Sequence, residues 1–412
     1  MRPEQTVTAE VLVVGAGAAG IAAAVAASRI GARVVVVERG ALTGGKATAA
    51  MVGTICGIYL RGGSEARYAM NGFPREFCEQ LAGRSGTHAV AGVRGLWFLP
   101  YAYDAFEELG TWLLNETGVE LRTSTSIESC HAEGDRLVSA AARGRDGRLT
   151  EIRAASMVDC SGTGLLAELS GAPMIRTQRY QRPAQVFCMR GVRANEESAL
   201  NMAVNRAMLR ADPTGHGSVS VVPGSLREGQ VCLKIAFSEQ VEEGADLDVL
   251  QANGQRMAGE MAALLKEGVE AFHGAEVSTV APEVGVRTQQ RAQGRYTLEQ
   301  EDVMTCRKFA DGVANGAWPI EFWGAERNVA MRYFGEGEHY QVPAGALRAA
   351  TLSNLFLAGR TISATEQAIA SARVIGTCLG TGYAAGVLAA TAALRKDMDA
   401  AIESVRRAQV YI

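Results

Sequence analysis

The chain has 412 residues, 48% of them hydrophobic and 21% charged, with a formal net charge of -3 and a pI near 6.1. That length exceeds a single simple core and predicts two lobes. A near-neutral balance with no basic stretch interleaved with aromatics argues against a nucleic-acid partner.

In chain order, residues 10–14 (EVLVV) predict a strand, residues 15–20 a turn, and residues 21–30 an Ala-rich helix that Gly31 ends. The apolar opening at residues 11–27 contains Gly15, Gly17 and Gly20, follows Glu4 and Glu10, and has no basic leader. It is therefore expected to be a strand, turn and helix rather than a signal or membrane segment, with the cytoplasm as default location. Residues 33–38 (RVVVVE) have the pattern of a strand buried on both faces. A helix is expected over 103–117 and a strand over 119–122. A three-stranded meander follows over 126–131, 137–142 and 149–153, with a separate strand over 156–160. The middle, 171–340, mixes strand-like runs (185–192, 218–222, 230–237) with helical runs (196–210, 247–267), and carries Trp318 and Trp323 in an irregular segment. Residues 355–359 (LFLAG) return to the buried-strand pattern before a Gly- and Ala-rich helix over 374–394.

The 8 cysteines are scattered without a C-x-x-C pair. That spacing argues against iron–sulfur clusters, structural zinc and a dithiol redox pair, so no metal is expected. It predicts mostly buried small hydrophobes in a reducing compartment.

Gly15-Ala16-Gly17-Ala18-Ala19-Gly20 forms a G-x-G-x-x-G turn between strand and helix. Gly15 permits the tight turn, Gly17 lets backbone approach a pyrophosphate, and Gly20 lets helix and strand pack. The helix start at Ala18 and Ala19 offers N–H groups to phosphate charge. Glu38, with Arg39 beside it, ends the second strand, where a carboxylate accepts both ribose hydroxyls and repels a 2′-phosphate. Gly44-Gly45-Lys46-Ala47-Thr48 then supplies a second glycine pair, suited to passing along a ribityl chain and flavin. The strand-end turns at Cys160-Ser161-Gly162 and at Gly359 would be unexplained by NAD alone. FAD, bound non-covalently since no attachment motif is present, is the expected cofactor.

On these residues the chain resembles the FAD-dependent oxidoreductase family, whose members share the glutathione-reductase-like FAD fold, and it is distantly similar to the fumarate reductase flavoproteins. The similarity extends through residues 158–162 (VDCSG), 285–291 (GVRTQQR) and 355–386, the last being the most specific. It implies an α/β fold: a Rossmann-like FAD-binding domain, with a parallel sheet, helices and a β-meander, from residues 1–170 and 341–412. A mixed α+β substrate domain would occupy 171–340. It further implies that the turn Val374-Ile375-Gly376-Thr377-Cys378 starts a helix at the flavin, that Arg360 and Arg373 are the neighbouring cations, and that Ile127 is a further cofactor contact. Two departures weaken any carry-over of substrate. Thr163-Gly164 stands where the family often has Gly-Asp, and Thr288 and Gln289 follow Arg287 where an acid is usual.

Substrate oxidation needs a proton acceptor. His339, in the family-like stretch 339–343, is the candidate base, with Tyr340 to orient substrate; a structural histidine is the competing assignment. Arg287 and Arg291 would grip a carboxylate, stack near the flavin, or form a salt-bridged strut between the lobes, and Arg373 would serve either the flavin or the surface. Glu366 is a further acid near the flavin, and Cys56 is expected to be packing. No second G-x-G-x-x-G is present, so the expected reaction is that of a dehydrogenase or oxidase of a small organic substrate, with hydride passing to flavin N5 and reoxidation by oxygen or another acceptor. The alternatives are an NAD(P)H-fed reductase or monooxygenase, and a non-catalytic FAD-stabilised subunit. No nucleic-acid or membrane partner is expected, and a homo-oligomer stays open.

Overall fold

Strand β1 (Gln5–Val14) is the centre of the first body, and its length is set by two different neighbours. The computed structural model describes residues 3–211, 218–238, 240–241, 244–287, 290–324 and 329–412. Helix α1 (Ala18–Arg29), strand β2 (Val34–Val37), helix α2 (Tyr103–Glu116) and strand β3 (Glu120–Arg122) follow. The meander is β4 (Thr125–Glu133), β5 (Arg136–Gly144) and β6 (Leu149–Asp159). The expectation of separate strands at 149–153 and 156–160 is corrected here, because β6 is one continuous strand. Its first half pairs antiparallel with β5, Ser139 opposite Arg153, while along its whole length it runs parallel to β1, from Gln5 opposite Thr150 to Val14 opposite Asp159. This double use also explains why β1 begins five residues before the expected start at Glu10.

The second lobe is built from β7 (Ala184–Arg190), α3 (Glu197–Ala211), β8 (Ser218–Val221), β9 (Gln230–Ala236), α4 (Leu247–Gly268) and β10 (Glu276–Val280). The chain then returns through β11 (Ile320–Phe322), β12 (Tyr340–Pro343), β13 (Leu355–Leu357), α5 (Glu366–Ala372) and α6 (Ile375–Ala393). The main sheet has the order β3-β2-β1-β6-β5-β4, and β13 runs parallel beside β6. The β2 run of four valines is buried throughout, as a parallel strand covered on both faces must be.

Helix α1 carries no charge before Arg29 because it lies between the sheet and α6. A Cβ on Gly382 would sit 2.2 Å from the Ala19 carbonyl oxygen, and one on Gly386 would sit 2.1 Å from that of Ala23. The two helices therefore touch backbone to backbone, and a one-turn stripe of glycine on α6 makes that possible. Helix α6 has the length and hydropathy of a membrane span, yet most of it is buried inside the protein.

The second lobe's antiparallel sheet, β8-β9-β7-β10, alternates cleanly. Phe187, Met189, Val231, Leu233 and Ile235 pack under α3 and α4. The opposite face, with Val186, Cys188 and the cross-strand neighbours Lys234 and Cys232, turns toward the first body, where Met51 and Tyr103 meet it. Cys188 and Cys232, directly opposed in register, form a disulfide. This departs from the expectation of cysteines as mostly buried small hydrophobes in a reducing compartment: local spacing cannot show a partner 44 residues away on a neighbouring strand. The remaining six cysteines are free. Leu298, Val313, Ile320, Phe322, Tyr340 and Val342 join the same hydrophobic cluster as α1 and α6.

The helix contact sets a stability expectation. Gly386→Val forces backbone apart and is expected to cost ~3 kcal/mol or more, lowering Tm by roughly 5 °C or more. Gly83→Ala, at an exposed position of the helix Gly72–Ser85 with open space at its Cβ, should change stability by less than about 1 kcal/mol and in the favourable direction. Thermal unfolding of both variants checks the contrast.

Candidate functional site

The glycine turn after β1 is held from three sides. Gly15 has φ +98°, and a Cβ there would lie 2.5 Å from the Cys160 carbonyl oxygen; on Gly20 it would lie 1.8 Å from that of Gly15. Helix α1 starts at Ala18, three residues earlier than expected, so the fingerprint itself forms its first turn. Gly17 bridges to Gly44, and the Gly44 N–H donates to the Ala16 carbonyl at 2.8 Å, bringing the two glycine loops side by side with Gly45 against Gly17.

Glu38 is buried, and each carboxylate oxygen accepts a backbone N–H at 2.7 Å, one from Ala16 and one from Gly40. It thus closes the turn, and the second lone pair on each oxygen remains for a ribose hydroxyl. The Thr125 N–H donates to the Glu38 carbonyl at 2.9 Å, which sets the buried Ile127 two residues further along β4. Lys46 pairs with Glu283 at 2.6 Å and Arg39 approaches the same carboxylate at 3.8 Å. Ala47 accepts from the Tyr101 hydroxyl at 3.0 Å, and Thr48 donates to the Thr43 carbonyl at 2.7 Å, fixing the loop.

The C-terminal segment closes the opposite wall. Ser161 binds the buried Asp159 through its hydroxyl at 2.6 Å, and the Gly162 N–H donates to Thr361 at 3.2 Å. Arg360 packs across Gly162 and donates to the Val286 carbonyl at 2.9 Å; burial lowers its pKa. Gly359 donates to Thr381 at 3.1 Å, and a Cβ on it would meet Ala19 at 2.9 Å and Cys378 Sγ at 3.6 Å. Gly376 donates to the Cys56 carbonyl at 3.0 Å at the start of α6, and the neighbouring Thr377 hydroxyl is buried without a hydrogen-bond partner. A groove walled by glycines, with Arg39, Lys46 and Arg360 along it and an orphaned hydroxyl at its far end, has the donors and clearance that a dinucleotide diphosphate requires.

Beyond Thr377 lies a second cluster, centred on Trp323. Glu321 accepts from both indoles, Oε1 from Trp323 at 2.7 Å and Oε2 from Trp318 at 2.8 Å. Burial raises its carboxyl pKa, but Arg373, Lys234, the Trp318 bond and Arg287 outweigh that, and the net direction is down. Lys234 Nζ lies 4.7 Å from the Trp323 ring centroid, and the guanidinium carbons of Arg287 and Arg182 lie 4.8 Å and 5.8 Å from it. Arg287 donates to the Arg182 carbonyl. Arg373 donates to the Glu321 carbonyl at 3.2 Å, and its Nε is buried without a partner. Burial lowers the pKa of Lys234, which Glu321 opposes. Cys56 is adjacent, its thiol pushed up to about 12 by burial and Glu321, so it is not a thiolate.

Arg287 and Arg373 are thus brought together, whereas His339 and Tyr340 belong to another environment. Burial and then Lys308 pull His339 down to about 4, and Lys308 also donates to its carbonyl. Tyr340 is fully buried with its hydroxyl on Ser371 at 2.8 Å. Arg291 is fully buried, donating to the Ala364 carbonyl at 2.7 Å and to Thr177 at 2.9 Å. Glu366 is engaged by the backbone of Gln178 and Arg179 and by the Arg179 side chain. Thr288 and Gln289 lie outside the described residues. Sequence reasoning missed Lys234 and Glu321, although each is the lone charge in an otherwise apolar strand run.

A family model described as FAD dependent oxidoreductase matches residues 10–410. A comparison with curated proteins returned no match. Among solved structures, the fold is similar to a geranylgeranyl bacteriochlorophyll reductase-like protein from Thermoplasma acidophilum, with TM-score 0.51 and 13% identity over 98% of this chain and 83% of that one. It is also similar to BexE, studied for oxidation during BE-7585A biosynthesis, with TM-score 0.51 and 14% identity over 96% of this chain and 65% of that one. OxyS anhydrotetracycline hydroxylase from Streptomyces rimosus gives TM-score 0.49 and 14% identity over 97% of this chain and 66% of that one. FAD is the cofactor, and the groove between the two glycine loops and the C-terminal segment is where these residues would hold it.

Glu38→Ala removes the acceptor that both closes the turn and meets the ribose. Loss of a charged hydrogen bond of ~1.5–3 kcal/mol predicts an FAD Kd raised roughly 10- to 100-fold. Reconstitution of the apoprotein, followed by flavin fluorescence, measures it.

Proposed function

Because the chain belongs to the FAD dependent oxidoreductase family, we propose that this enzyme is a dehydrogenase or oxidase of a small organic substrate, and that Lys234 takes the proton released on oxidation. Bound FAD supplies the hydride acceptor. The observation that carries the proposal is the environment of Lys234: a lowered pKa among Glu321, Arg287, Arg373 and Cys56, the residue whose carbonyl accepts from Gly376 in α6, with no ion pair among the described residues.

A base must be neutral to act, and an ordinary lysine is charged near neutral pH. Burial favours the neutral amine, and the neighbouring Arg287 and Arg373 push the same way. The arginines keep their charge, so the lysine is the cation of the group that can exchange a proton. Glu321 is poorly suited to that task, since two indole N–H groups hold its oxygens and its pKa is lowered. Its role is to position Trp318 and Trp323, which exclude water from the pocket. The proposal includes non-covalent FAD, reoxidation by oxygen or another small acceptor, a cytoplasmic location, and residues 171–340 as the lobe that furnishes the pocket.

In anaerobic stopped-flow mixing with a reducing substrate, the flavin band should bleach at a rate that rises with pH, because deprotonation creates the active amine. Lys234→Met should lower that rate about 10²- to 10⁴-fold and flatten the profile. An unchanged rate and profile in the variant would refute the base assignment. Fast bleaching by NAD(P)H, with none by any organic donor, would instead identify an NAD(P)H-fed reductase or monooxygenase.

A further inference from the structure

Among the described residues, the Trp323 cluster holds more positive than negative charge. Of the carboxylates described, Glu321 is the one that acts on Lys234, Arg287 and Arg373 alike. Its oxygens are committed to Trp318 and Trp323, and none of the three cations forms an ion pair with it within the 4.0 Å limit of a salt bridge. This excess occurs in a chain whose formal net charge is -3. The diphosphate of the cofactor does not account for it, because Arg39, Lys46 and Arg360 already line that part of the groove.

Burying a guanidinium without an anion is costly, and arginine cannot escape the cost by losing its proton. Among the described residues, Arg373 keeps Nε buried and unpartnered, and its hydrogen bonds run from Nη2 to the Glu321 carbonyl at 3.2 Å and to Gln181 at 3.5 Å. Arg287 stacks over the same indole that Lys234 approaches. Aromatic rings accompany these cations: Trp323 meets Lys234 and Arg287, and Trp318, bound to the same Glu321, meets Phe98 edge-on at 5.6 Å. A planar carboxylate matches a guanidinium fork, and a flat apolar body matches an indole face.

We propose that Arg287 and Arg373 form a carboxylate-binding subsite, so that the substrate is a small organic acid with an apolar body, an inference that rests on this pocket being the substrate's. The arginines hold the anion while Lys234, on the same indole, stays available for proton transfer.

Benzoate and its uncharged isostere benzamide, titrated into the oxidised FAD-loaded enzyme and followed by tryptophan fluorescence and flavin absorbance, test this without turnover. Benzoate should bind at least about 30-fold more tightly than benzamide. Arg287→Met and Arg373→Met should each weaken benzoate about 10-fold or more while leaving benzamide within about threefold. FAD content and Tm report folding, and Arg287→Lys and Arg373→Lys, which keep the charge without the fork, should fall between. Equal affinity for the two probes, or benzoate affinity unmoved in all four variants, overturns the inference. Benzoate selectivity in an enzyme reduced only by NAD(P)H would sustain the subsite and defeat the dehydrogenase or oxidase assignment. Reduction by neutral donors without benzoate selectivity would do the reverse.

Discussion

The two ends of the chain are held together by a contact between main chains. Gly382 and Gly386 on the last long helix rest on the carbonyls of Ala19 and Ala23 in the first, closer than any side chain would permit. Dispersion at such range is favourable only when both surfaces are smooth, hence the alanine run on one helix and the glycine stripe on the other. The contact sets the start of α6 beside the start of α1. Gly359, packed on Ala19 and Cys378, belongs to the same junction. The nucleotide groove is what remains between the two helix starts, and its dimensions follow from the helix spacing.

The second lobe uses one sheet for two tasks. Alternation gives β7 and β9 a face for the lobe's own core and a face for the site, so Leu233 and Lys234, adjacent in sequence, serve opposite purposes. A one-residue slip in register would turn the lysine into the lobe's own apolar core and that core's side chains toward the site. The disulfide between Cys188 and Cys232 lies on the site face and joins the two strands at a fixed register. Glu321 anchors the other side of the pocket by orienting both indoles at once.

Much of the first body was legible because its signals are local. The glycine fingerprint, the four valines of β2 and the carboxylate of Glu38 each act on neighbours a few residues away or at the adjoining strand end. Strand β6 reads as two strands in the sequence because the polar Arg153 and Ser156 separate its apolar stretches, although the ladder to β1 continues through Ala154. The pocket was less legible. Lys234, Arg287, Glu321 and Arg373 come from four separate segments, and no spacing rule links them. The motif-based choice of His339 relied on proximity along the chain to a family-like stretch. In the folded chain its strand places Tyr340 in the core and leaves the imidazole beside Lys308.

The roles proposed for Lys234, Arg287 and Arg373 require the cofactor groove to open onto the Trp323 cluster, so that a flavin at the start of α6 faces all three. A crystal structure of the FAD complex decides the matter. The expected result is the isoalloxazine against residues 374–377, with the Trp323 cluster across the ring from it. A ring turned away from Trp323, or separated from it by packed protein, would rule those roles out.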